Sequence, residues 1–301
     1  MARSRAFEDL ATVVYVWGDD GYQAHAAGGR QGQAGAQPHF RDREVITRLR
    51  LRDCLPFPGE TQFLGFVRAH HRALFPPRLS QSPFHRRARQ LWPWVEALRR
   101  HWAEALGATR ASLYRLDTQP LPVVGDTRRK DRSDFAATAD YGVCTSRNLK
   151  YFGYKRVRLC TPAGGPAAYD LVPASTDARV AGEQVRDWVW QARILGDQGC
   201  MGADGPQGYR ETRGLEILTP ARAHQRTARP VGVPRWLNRL RERIEGAFHE
   251  VQNTGRHLEP LTCRTRRGLS TQVAAQMASH ALKLLLRRQA GIDVRTFTLT
   301  L

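Results

Sequence analysis

Along the N-terminal third of the chain, apolar residues recur at helical spacing. Between Glu60 and Leu74, Phe63, Phe66, Val67 and Leu74 share a face, so the spacing predicts a helix that Pro76-Pro77 would stop. From Arg89 to Leu106 the stripe Leu91, Val95, Leu98, Trp102 and Leu106 predicts a second helix, with Gly107 placed to end it. Between them, Leu79-Ser80-Gln81-Ser82-Pro83 followed by His85-Arg86-Arg87 reads as a short turn and a basic helix start, which suits a helix-turn-helix or an ordinary helical bundle equally. The Gly-, Ala- and Gln-rich run Ala26 to Pro38 reads as a flexible loop. It lacks the Gly-Lys-Ser/Thr ending of a phosphate loop.

From residue 111 the pattern shifts to strands. Ser112 to Leu116 predicts a strand ending at Asp117. Phe152 to Cys160, the turn Pro162-Ala163-Gly164-Gly165-Pro166, and Ala167 to Val172 predict a β-hairpin. Asp177 to Ala192 is helix-like through Val180, Val185, Trp188 and Val189, and the tryptophans Trp92, Trp94, Trp188 and Trp190 are expected to pack. Arg193 to Asp197 and Glu216 to Pro220 read as short strands. Arg235 to Gln252 then carries the stripe Leu237, Leu240, Ile244, Ala247, Phe248 and Val251, and a last helix spans Leu269 to Gln289 before Gly291. The division this predicts is a helical, DNA-binding domain over 1–107 and an α/β catalytic domain with C-terminal helices over 108–301.

Charge alters the picture more than any single motif. The 301 residues hold 47 basic against 28 acidic side chains, a net charge of +19, and the pI is near 10.8. Only Lys130, Lys150, Lys155 and Lys283 are lysines, so the excess is arginine. Such a balance points to a polyanionic partner, with nucleic acid foremost. The excess concentrates in 51–100 and 251–301, while 151–200 is nearly balanced. Mean hydropathy of −0.51 and the lack of a long apolar run argue against a membrane protein. Five dispersed cysteines without a Cys-x-x-Cys pair fit neither a disulfide scaffold nor a zinc site, and a reducing cytoplasm, with nucleoid association, is the expected location.

The order of elements gives the acids their interest. In a ribonuclease-H-like sheet the first and fourth strands are parallel neighbours, so Asp117 and Asp197 would end side by side. A helix packed across that edge could bring Glu245 within reach. Three clustered carboxylates repel unless divalent cations neutralise them, so two Mg²⁺ (or Mn²⁺) ions are expected. Paired ions about 3.5–4 Å apart activate a water or 3′-hydroxyl and stabilise the leaving oxygen of a phosphodiester.

Leu116-Asp117-Thr118-Gln119-Pro120-Leu121-Pro122-Val123 resembles the first acidic motif of bacterial insertion-sequence transposases of the DDE class. Tyr151-Phe152-Gly153-Tyr154-Lys155 with Thr161-Pro162-Ala163-Gly164 resembles the family's Gly-aromatic-Lys strand and turn, and Leu171-Val172-Pro173-Ala174-Ser175-Thr176-Asp177 the stretch after it. Leu195-Gly196-Asp197-Gln198-Gly199 resembles the second acidic motif, and Arg241, Arg243, Ile244 and Glu245 the glutamate helix. The N-terminal part, through Asp19-Asp20 and Leu74-Phe75-Pro76, is similar to the group with a helical domain before the catalytic one.

The resemblance implies an α/β fold: a ribonuclease-H-like mixed sheet flanked by helices, preceded by an all-α domain. It implies Asp117, Asp197 and Glu245 as catalytic, metal-binding acids, and a DNA transposase that cleaves and joins strands. Its partners would be double-stranded DNA, as element terminal inverted repeats and target, bound by a homodimer. Lys155, Arg241, Arg128, Arg129, Lys130, Arg86 and Arg87 are the expected DNA contacts. Two positions depart from the family: Cys200 stands where tyrosine is usual, and Gln252 where lysine is common. The residues alone also allow plainer roles, with Asp117 and Asp197 as turn residues and Glu245 in i,i+4 helix pairs. A ribonuclease-H-like nuclease that does not join strands, and a non-catalytic basic DNA-binding protein descended from a transposase, are the alternatives.

Overall fold

A computed structural model describes residues 2–25, 41–55, 57, 59–75, 80–125, 129–196, 213–218 and 263–291. Contacts divide the chain into two compact units. One comprises the described residues of 2–102 and 265–291. The other comprises those of 103–218 with 263–264. The C-terminal helix thus belongs to the first unit, whereas the division at 107/108 assigned it to the second.

The first unit is built from α1 (Ala2–His25), α2 (Asp42–Cys54), α3 (Glu60–His70), α4 (Gln81–Gln90), most of α5 (Trp92–Ala105) and α7 (Arg266–Ala290). The helix expected from Arg89 is two helices, because α4 closes at Gln90 and α5 opens at Trp92 with Pro93 in its first turn, where a missing N–H costs little. The centre is formed by α2 and α7. Every residue from Val45 to Asp53 is buried, as is every residue from Thr271 to Leu282. A helix enclosed all round would ordinarily be apolar, yet α2 carries Arg48, Arg50, Arg52 and Asp53 inside.

Partners and aromatic rings offset part of that cost. Arg52 donates to Glu60 at 2.8 Å, and Asp53 accepts from the Ser279 hydroxyl at 2.8 Å. The Lys283 Nζ donates to the Asp53 carbonyl at 2.6 Å. Arg50 lies over the Trp102 ring at 4.2 Å.

The second unit is mixed α/β. Its strands are β1 (Leu113–Val124), β2 (Asp140–Cys144), β3 (Leu149–Cys160), β4 (Pro166–Pro173), β5 (Arg193–Leu195) and β6 (Glu216–Leu218), with α6 (Ala178–Arg186) between β4 and β5. The sheet order is β2-β3-β1-β5-β6, with β4 also paired to β3. β3 is antiparallel to β1, β2 and β4, whereas β5 runs parallel to β1 and β6 parallel to β5. β2 and β4 share one edge of β3 end to end, β2 against residues up to Gly153 and β4 from Tyr154 onward.

The predicted hairpin is present as β3 and β4. Gly107 ends α5 at φ 70, and the Ala108 N–H reaches back to the Ala103 carbonyl at 2.8 Å, a Schellman closure. Gly153 has a different reason: a Cβ there would lie 2.1 Å from the Leu121 carbonyl oxygen. One face of the sheet is apolar, where Leu116, Val157, Leu159 and Val172 pack with Ala181 and Val185 of α6 and with Val189. Among the described residues no helix is long and apolar enough to cross a membrane.

Candidate acidic site on the polar face of the sheet

β1 does not end at Asp117. It continues to Val124, pairing with β3 through Pro120 and Pro122, so Asp117 is a mid-strand residue. The two prolines, two positions apart, withhold their missing N–H groups from the same edge of the strand, which a ladder on the other edge tolerates. Beyond Arg115, β1 pairs on only one side among the described residues.

Alternation along the strands builds the site. Asp117 stands opposite Arg158, and Gln119 opposite Arg156. Residues directly opposite share a face, so these four form a polar cluster on the face away from α6. Arg158 Nη2 donates to Asp117 Oδ2 at 3.0 Å; the arginine side chain is fully buried, while the carboxylate is 29% exposed. Arg156 Nη2 donates to Gln119 Oε1. Burial, reinforced by the nearby Arg158 charge, holds the Arg156 guanidinium well below its ordinary range, against the opposing pull of Cys160, Asp117 and Tyr169. The Asp117 Oδ1 oxygen has no partner among the described residues. A hard oxygen donor of this kind suits Mg²⁺ or Mn²⁺, so the one member of the acidic trio within the described residues fits such an ion.

Asp197, Glu245, Arg241 and Arg128 lie outside the described residues, as do Cys200, Gln252, the run 26–38 and the expected helix 235–252. Among the described residues no group of three or more His, Cys, Asp or Glu side chains gathers. Lys155 is on β3 but three positions from Arg158, hence on the opposite face from Asp117, and its Nζ donates to the Thr176 carbonyl at 2.7 Å. Arg129 is exposed and pairs with Asp131 at 2.8 Å. Lys130 is half-buried and Arg86 is exposed. Arg87 is spent inside the helical unit on Asp42.

Trp188 and Trp190, expected to pack, are exposed at 53% and 62%. α6 ends at Arg186, and the chain beyond it turns Val189 inward, so its two aromatic neighbours face solvent. Arg213 stacks on Trp190 at 4.6 Å. Val180 is exposed as well, its core position being taken by Ala181. The sequence reading missed Arg156, Arg158 and Gln119 as site residues. The signal was present in the matching alternations Asp117-x-Gln119 and Arg156-x-Arg158.

Comparison of the chain with protein-family models finds no match. Comparisons with curated proteins and with solved structures find none either.

Proposed function

We propose that the chain is a DNA transposase of the DDE class, with a ribonuclease-H-like catalytic domain following an all-α domain. The observation that carries this reading is the register of β1 on β5. The two strands run parallel with Leu113 opposite Arg193 and Arg115 opposite Leu195, and in the sequence Asp117 and Asp197 each follow the last of these pairs by two positions. Support also comes from the order β4-β3-β1-β5-β6, with three antiparallel strands and then two parallel ones, which is the arrangement a ribonuclease-H-like sheet requires.

In this reading Asp117, Asp197 and Glu245 hold two divalent cations. When bound, these supply activation of the attacking hydroxyl and stabilisation of the leaving oxygen. The chain's own contribution at Asp117 is orientation. Arg158 fixes Oδ2 and leaves Oδ1 presented, and the Arg156–Gln119 pair next to it restrains the same face of the sheet. Exposed arginines of each unit, Arg86 in one and Arg129 in the other, serve double-stranded DNA, so binding weakens steeply with salt. A dimer holding two element ends completes the proposal.

One observation favours a second reading, a non-catalytic DNA-binding protein: the Arg158–Asp117 ion pair already neutralises the carboxylate that a cation would use. The two readings part on a strand-joining assay. Pre-cut duplex carrying the inverted repeats that bracket the gene, incubated with Mn²⁺ and a target plasmid, gives joined product if the chain is a transposase. A hydrolysing nuclease gives cut but unjoined DNA, and a binding protein gives neither.

A further inference from the structure

The helical unit contains a cavity of about 260 Å³ lined by Arg48, Arg68, Arg72 and Ser80 over the apolar side chains Leu64, Val67 and Phe75. Its floor is buried, with Leu64, Val67 and Phe75 all below one-tenth exposed. The Arg48 guanidinium lies 4.7 Å over the Phe75 ring. Burial lowers the Arg48 pKa to about 10, against the pull of Glu44 one turn earlier, so it stays charged at neutral pH.

Arg68, in the last turn of α3, and Arg72, four residues on, are exposed. Neither makes a hydrogen bond or ion pair among the described residues. Ser80 is the N-cap of α4, yet its hydroxyl makes no capping bond. Among the described residues no acidic side chain lines the cavity.

Two exposed guanidinium forks and a hydroxyl unengaged among the described residues, the buried Arg48 cation and the positive end of a ten-residue helix converge on one small space. Planar Arg donors match the oxygens of a phosphate, and a helix N-terminus adds to the attraction. Pockets for drug-sized ligands run to about 300–1,000 Å³, so this one suits a single phosphate group and the carbon skeleton beside it, not a whole dinucleotide. We propose that the cavity is a phosphate-ester site, in which Arg68, Arg72 and Ser80 bind the phosphate oxygens and Phe75, Val67 and Leu64 face the attached sugar or alkyl carbons. This site is independent of the Asp117 reading. The phosphate can belong to a small monoester or to the backbone of a nucleic acid.

The test uses the full chain, with the thermal midpoint followed during titration with sodium phosphate and with glycerol phosphate, each against sodium chloride at matched ionic strength. The expected result is a saturable rise with both anions, larger with the ester. In the R68A/R72A variant the affinity falls at least tenfold. Both arginines are exposed, so the variant keeps its fold, and its unliganded midpoint checks this. The charge-conserving R68K/R72K variant also weakens binding, because lysine keeps the charge but not the fork.

Anisotropy of a labelled short duplex, measured with and without glycerol phosphate, identifies the source. Mutual displacement assigns the site to a nucleic-acid backbone, and independent binding assigns it to a small monoester. No rise beyond chloride, or R68A/R72A or R68K/R72K binding as the natural chain does, overturns the proposal.

Discussion

Both units bury arginine, but they treat it differently. In the helical unit Arg50 is fully enclosed on α2, none of its three guanidinium nitrogens has a hydrogen-bond partner among the described residues, and it lies over the Trp102 ring. In the sheet unit Arg156 and Arg158 are equally enclosed, yet each is aimed at an oxygen of the opposing strand, on Gln119 and Asp117 respectively. A buried donor left unpaired costs on the order of 1–3 kcal/mol, whereas a paired one holds its partner in place. The sheet therefore spends its buried charge on orienting a partly exposed carboxylate. The helical unit spends its own on Arg50 with no such return, while Arg52 is compensated by Glu60.

The largest effect that sharpens this contrast comes from removing a partner in the helical unit. Glu60→Ala removes one buried partner of the Arg52 guanidinium and is expected to lower stability by about 3 kcal/mol, read as a shift in urea midpoint. An unchanged midpoint would show that Arg52 finds another acceptor without cost.

Asp117→Ala likewise removes one partner of Arg158. Because Asp117 is partly exposed, the expected loss is smaller, about 1–2 kcal/mol. Asp117→Asn, whose amide oxygen still accepts, is expected to lose less than the alanine variant. If the two variants are equally stable, Arg158 does not depend on position 117.

Arg50→Met reverses the sign. Desolvation of the three donors is relieved and a cation–π contact is lost, and a net gain of about 1 kcal/mol is expected. Burial holds the Arg50 pKa down to about 9, well below the ordinary arginine range. The folded chain thus binds that proton less readily than the unfolded chain, so the cost is complete below pH 9 and relieved as pH rises above it. The methionine variant should lack that alkaline gain, and a variant that keeps it would assign the gain to another group.

The smallest effect is at His71, packed against Phe7 at 4.0 Å. Burial lowers its pKa from 6.5, with Glu8 pulling the other way. Its neutral form is favoured in the fold, so its contribution is intact above pH 6.5 and declines as pH falls below that through the folded value. His71→Asn should flatten this part of the acid limb in urea titrations at pH 7 and pH 5.5, and an unaltered acid limb would show that His71 does not contribute to it.

Much of the sheet unit was legible in the chain because strand alternation is a local signal. The β3–β4 hairpin, β5 and β6 follow from apolar runs punctuated by Gly and Pro. β1 was cut short at Asp117, whereas it runs on through Pro120 and Pro122 to Val124; whether a strand tolerates such prolines depends on which neighbour lies on which edge, a tertiary fact. β2 was missed because its five residues are mostly exposed and carry no alternating stripe. In the helical unit the central role of α2 was hidden, since Arg-Leu-Arg-Leu-Arg resembles a solvated face. At the site, Asp117 was legible as an acid by motif, but its engagement by Arg158 depends on a cross-strand register that no spacing within one segment reveals.

The proposed function makes Asp117 part of a cation-dependent phosphoryl-transfer site and not only the partner of Arg158. The most direct test is Mn²⁺-dependent cleavage of duplex carrying the repeats that bracket the gene, comparing the natural chain, Asp117→Asn and Asp197→Ala at equal DNA occupancy. Cleavage by the natural chain is expected, with a loss of about a thousandfold or more in both variants, since each removes a carboxylate the ions would require, and with DNA binding retained. Cleavage that persists in Asp117→Asn, or no Mn²⁺-dependent cleavage by the natural chain on those ends, would contradict it.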